Sequence, residues 1–169
     1  MTLNFHGLDS LCAWLGATPL SQTLQTVGWI IPAIQTVHIL CVSAVMSAVL
    51  VIDLRLLGVC GRSFPIAAIA RRFMPFVWWP LPLLLATGAL LVIAEPQRDL
   101  ENPVFLLKMT LLLAAAGCTL VCQLPLRRDP DYWSPAHRRG GAALVALCSL
   151  PAWTGVVFAG RWIAYVQGG

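Results

Sequence analysis

Charge is what this sequence has least of. Only 11% of its 169 residues are Asp, Glu, Lys or Arg, while 59% are hydrophobic, and the mean hydropathy is +0.80. Water-soluble domains carry about a quarter charged residues, so this composition excludes an ordinary water-facing fold and predicts a polytopic membrane protein. Residues 1–19 contain no Lys or Arg, so the basic start of a removable secretory signal is missing. The six Cys form no CxxC or CxxCH, which removes a thioredoxin-like site and covalent c-type haem. No GxxxxGK, HExxH or GxSxG occurs, and no carboxylate pair lies within an apolar run, so nucleotide-driven and hydrolytic chemistry has no carrier. The formal charge of +4 is confined to short connections and gives no sign of a nucleic-acid partner.

What is present is four apolar runs, about 27–52, 73–94, 104–124 and 141–160. At about 1.5 Å rise per residue, each matches a hydrocarbon core about 30 Å thick. Arg55, Arg62, Arg71 and Arg72 follow the first run, and Arg127, Arg128, Arg138 and Arg139 follow the third. The connection after the second run, "EPQRDLENP", has one Arg against Glu95, Asp99 and Glu101. The positive-inside rule then predicts cytoplasmic Arg-rich loops and two periplasmic termini in a bacterial inner membrane. Trp29, Trp162 and Tyr165 are expected in an outer aromatic belt, with Tyr132 and Trp133 on the inner side. Before the first run, Leu8, Leu11, Cys12 and Leu15 recur at helical spacing, which predicts an amphipathic helix over 3–18 lying in the interface. "RSFPIAAIARRF" predicts a short amphipathic helix beginning near Pro65. Pro32, Pro75, Pro80, Pro82 and Pro151 are expected to end or kink helices. The small residues of "ATGALL" and "LAAAGC" point to contact between the second and third helices at Gly88 and Gly117. The fold class is therefore all-α, a four-span bundle with a peripheral N-terminal helix.

Inside the first run, "WIIPAIQTVHILC" carries Gln35, His38 and Cys41 at three-residue steps. His38 lies about 13 Å below the outer interface. Intramembrane ionisable residues usually face the bundle interior and are functional candidates. In this setting the imidazole is neutral, with one donor and one acceptor nitrogen. It is either a structural residue bonded to Gln35, Thr36 or another helix, a metal or haem ligand, or a contact for a proton or substrate. Cys41, Cys118 and Cys148 lie about 18, 21 and 18 Å deep on three different spans. Thiolate and imidazole suit copper(I) or zinc, whereas packing as small hydrophobes is the simpler role. Asp53 opposes the dipole at the end of the first span, so an ion pair with Arg55 or with an arginine of the next segment is expected. Lys108 and Arg161 are placed on the outer rim.

Taken together, "WLGATPLSQ", "WIIPAIQTVH", "DLRLLG", "ATGALL", "NPVFLLKMTLLL" and "GRWIAY" resemble an uncharacterised family of small four-span bacterial inner-membrane proteins, a domain of unknown function. More remotely, a His in the first span of a small four-helix membrane protein is similar to copper-resistance-D-type and cytochrome-b561-like proteins. That likeness implies b-type haem or copper at His38. A bis-His haem site would need further intramembrane His residues, which the apolar runs lack. The functional expectation is a small membrane subunit of a redox or metal-handling system, linked to haem, copper or quinone, with His38 as the ligand and Gln35, Cys41 and the other mid-membrane thiols as second choices. The alternatives are a small-solute or metal transporter, or a non-catalytic assembly subunit. Expected partners are the lipid bilayer and either a second copy of the chain or another membrane subunit.

Overall fold

The computed structural model describes residues 6–133, 135–163 and 165–166, with side chains described for 9–133, 140–163 and 165–166. Among these, every regular element is a helix: α1 (His6–Gly16), α2 (Pro19–Thr26), α3 (Ile30–Leu56), α4 (Ile66–Phe73), α5 (Pro75–Trp78), α6 (Pro80–Ala94), α7 (Pro96–Leu100), α8 (Pro103–Arg128) and α9 (Pro135–Trp162). Four stretches are long and apolar enough to cross a membrane: Ile30–Leu56, Ile66–Ala94, Pro103–Arg128 and Gly140–Trp162. The all-α four-span bundle is thus present.

Helix starts follow local chemistry. Asn102 caps α8 by accepting from the Val104 amide at 2.9 Å, with Pro103 at the first helical position. Thr18 caps α2 in the same way, ahead of Pro19. Pro75 and Pro80 fall at the starts of α5 and α6, so the second span is built from short collinear helices. Pro125 and Pro151 lie inside α8 and α9. Within the segment 3–18, where an amphipathic helix is expected, the helix α1 is present, followed by α2 across a break at Thr18. Residues 3–5 of that expectation lie outside the described residues.

The spans do not pack in sequence order. The second packs on the first, the first on the fourth, and the fourth most extensively on the third. Alanines make the close approaches: Ala115, Ala142, Ala146 and Ala48 are all buried. In a bilayer such contacts are held by van der Waals packing, since lipid is as apolar as the side chains. One buried cluster joins Ile52 and Leu56 of α3 to Ile66 and Ala70 of α4, Cys122 of α8 and Ala146 of α9, at the arginine-rich end. A second, Val45, Ala48, Val49, Val77, Ala115, Ala152 and Trp153, fills the middle. The expected approach of spans two and three at Gly88 and Gly117 is not what forms. A Cβ at Gly117 would meet nothing within 4 Å, while Gly88 faces His38 of the first span.

Trp29, Trp162 and Tyr165, the residues expected in an outer aromatic belt, are exposed. Trp133 is not on the surface. It is buried and donates Nε1–H to the Cys122 carbonyl at 3.0 Å. In the first connection, Arg55 donates from Nε and Nη2 to the Phe64 carbonyl at 3.0 and 2.8 Å, folding the loop back over the helix end. Gly61, with φ +64°, permits this turn; a Cβ there would stand 2.9 Å from Ile69 Cδ1.

Candidate functional site

His38 lies eight residues into α3, about 12 Å along the helix from Ile30. Its Nδ1 is 2.8 Å from Thr87 Oγ1 on α6. The threonine hydroxyl has one proton, and it is directed to the Leu83 carbonyl at 2.7 Å, with Leu84 O at 3.3 Å. The tautomer compatible with that bond to Leu83 is the one with hydrogen on Nδ1, in which the imidazole donates and Thr87 accepts. In that tautomer the Nε2 lone pair is left for a donor or an electrophile. Thr87 is buried and His38 half-buried. A Cβ at Gly88 would lie 3.6 Å from His38 Cε1, so the ring edge rests against the α6 backbone.

Lys108, one turn into α8, is half-buried and bends toward α9, where a Cβ at Gly160 would lie 3.8 Å from Nζ. Its ammonium acts electrostatically on both His38 and Asp99. Arg161 stays on the rim, donating to the Tyr165 hydroxyl at 3.0 Å and standing over its ring at 5.3 Å. Next to this rim, burial pushes the Asp99 carboxyl up, Arg98 and Lys108 pull it back, and Glu95 adds to the rise.

The remaining candidates are dispersed. Gln35 is exposed on the helix surface, and Thr36 is bonded to its own Pro32 carbonyl, so neither closes on His38. Cys41 and Cys118 are half-buried, whereas Cys148 is exposed. Cys118 and Cys148 are electrostatic neighbours on adjacent helices. Among the described residues, no three His, Cys, Asp or Glu side chains group as a metal ion would need. Shared depth does not bring His38, Cys41, Cys118 and Cys148 into one cluster, because rotation about each helix decides which face a thiol takes.

The ion pair expected between Asp53 and Arg55 is replaced by another arrangement. Residues two apart point to opposite sides of a helix. Arg55 accordingly turns to Phe64, while Asp53, 3% exposed, turns into the bundle with Oδ2 unpartnered. Thr87, Ser149 and Asn102 were not candidates from sequence. Only Asn102 had a readable signal, the Asn-Pro start of a helix; a Thr or Ser within a span has none.

These features define a small polytopic helical membrane protein with polar side chains held between its spans. Residues 12–166 match the model of DUF6644, a family of unknown function, and the chain belongs to that family. Neither the curated proteins nor the solved structures contain a match.

Proposed function

We propose that the chain is a small integral membrane subunit of a redox system, set in the bacterial inner membrane with both termini periplasmic. Its His38 site, in the outer half of the bundle, receives the polar head of a lipid-soluble, quinone-type carrier. The observation that supports this is the 2.8 Å contact of His38 Nδ1 with Thr87 Oγ1: with the Thr87 proton on the Leu83 carbonyl, Nδ1–H donates and Nε2 offers a lone pair to a carrier hydroxyl. Lys108 favours this over a cation, since a metal ion on Nε2 would sit in the field of an ammonium and find no grouped co-ligands among the described residues. The remote likeness to copper-resistance-D-type and cytochrome-b561-like proteins suggests copper or haem instead; the ligand set favours the carrier. Electron transfer then belongs to a partner subunit, with this chain binding and orienting the headgroup.

Titration of the purified chain with a short-chain quinol, followed by the ¹⁵N resonances of His38, tests the reading. Saturable binding that shifts Nε2 and is lost in His38→Phe is the expected result. Stoichiometric copper or haem lost with the same substitution, or no quinol binding by the folded wild type, would sink it.

A further inference from the structure

At the opposite end of α3 from His38 lies a second polar site that the carrier reading does not use. Asp53 stands three residues before the end of α3, is 3% exposed, and has no hydrogen-bond partner for Oδ2. It opens onto a cavity of about 10 Å³ lined also by Met74, Cys118, Thr119, Cys122 and Ser149. That volume admits one water molecule and nothing larger.

The groups facing the carboxyl come from every packed element. The buried hydroxyl of Ser149, from α9, stands against it. The Cys118 and Cys122 thiols of α8 lie within electrostatic range. Thr119 is already committed, donating to the Ala115 carbonyl at 3.0 Å and accepting from Trp153 Nε1 at 3.3 Å. Met74 brings a neutral thioether. On its own helix, Arg55 is bonded to Phe64. Arg71 and Arg72 of α4 are exposed. No cation among the described residues reaches the carboxyl, and burial without one strongly disfavours the ionised form.

We infer that Asp53 is a proton-binding site, held as the neutral carboxylic acid with one water in the adjoining cavity. Its position within one turn of the helix end makes the arginine-rich side the side with which the proton exchanges. Ser149 and the water are the hydrogen-bond partners of the acid. A metal ion is disfavoured because Asp53, Cys118 and Cys122 do not converge as a ligand group.

Infrared spectroscopy of the full chain in lipid nanodiscs, with ¹³C-carboxyl-labelled Asp, tests this. At neutral pH the wild type should show a protonated-acid C=O band that moves on ¹³C labelling and on transfer to D₂O. The band should vanish in Asp53→Asn and shift in Ser149→Ala, where one hydrogen-bond partner is gone. If Asp53→Asn fails to fold, the Ser149→Ala shift decides. A band unmoved in folded Ser149→Ala, or an Asp53 that absorbs as an ionised carboxylate at neutral pH, overturns the assignment. None of these outcomes depends on what binds at His38.

Discussion

Replacing Thr87 with Val tests the part of the site on which the functional reading depends. Valine keeps the shape of threonine but accepts no hydrogen bond, so the His38 Nδ1–H loses its 2.8 Å acceptor on α6. A hydrogen bond of this kind is worth about 1 kcal/mol net. Pairs between membrane helices average about 0.6 kcal/mol and reach about 1.7. Because Thr87 is only 6% exposed, the stranded donor has little water to turn to, which places the loss near about 1 kcal/mol. At 1.4 kcal/mol per factor of ten, that is about a fivefold change in the preference for Nδ1–H over Nε2–H. Two measurements follow. The ¹⁵N shifts of His38 should move from an Nδ1–H pattern toward a mixture, and unfolding in detergent should lose about 1 kcal/mol. Thr87→Ser retains the hydroxyl and should restore both. A wild-type ring already protonated on Nε2, or a Val variant with an unchanged ring, would refute the argument that Thr87 orders the imidazole.

Gly61→Ala should cost about 1–2 kcal/mol, because a left-handed backbone is strained for any residue with a Cβ, and Ile69 Cδ1 stands 2.9 Å away. Gly58→Ala shares the backbone strain (φ +72°) but meets only Arg62 Nε at 3.9 Å, so thermal unfolding should rank it as milder; the reverse order would contradict the geometry. Asn102→Ala removes the α8 cap and two donations, to Ile163 O at 3.3 Å and Val166 O at 2.6 Å. About 2–3 kcal/mol of stability should go with them, and a loss below that of an ordinary cap would show that the chain end is not clamped there. Asp99, whose folded-state carboxyl is raised chiefly by burial, should make the protein most stable below the ordinary carboxylate range and less so as pH rises through the folded value. In Asp99→Asn that part of the pH dependence should flatten, and identical melting profiles would rule it out.

The spans were legible because a hydrocarbon core imposes both length and composition, and "NPVFLLKMTLLL" can satisfy it only as a helix. The second span's true start was less so. Ile66–Phe73 is helical through Ile66 and Ala70 on one face and Arg71 and Arg72 on the other, a pattern that reads as a separate interfacial helix although it runs on toward Pro75. Partners were the least legible feature. Small residues such as Gly88 state that something approaches closely, not what, and here it is an imidazole from the first span. His38 itself stood out by hydropathy, but Thr87 did not, since a hydroxyl that bonds its own helix is as ordinary as one that orders a neighbour. Depth and proximity along the chain misled in the same way. Neither records rotation about the helix axis, so the thiols stay dispersed and Asp53 and Arg55 face apart.

That rotation also bears on whether the bundle conducts anything. His38 and Asp53 are fifteen residues apart on α3, about 22 Å along its axis. The layer between them is Val45, Ala48, Val49, Val77, Ala115, Ala152 and Trp153, none more than 8% exposed. Thr119, whose hydroxyl meets that layer at Trp153, donates to the Ala115 carbonyl and accepts from the Trp153 indole. Among the described residues, a proton or polar solute moving from one site to the other would meet this packed apolar layer. The geometry therefore argues for two separate sites and against a pathway through one copy of the chain. A carrier held at His38 would exchange protons with its own side of the membrane, and Asp53 with the other. Substituting Ala48 or Ala152 by Ser tests the seal: reconstituted wild-type vesicles should be proton-tight and the Ser variants should leak, and wild-type vesicles that already leak would refute the seal.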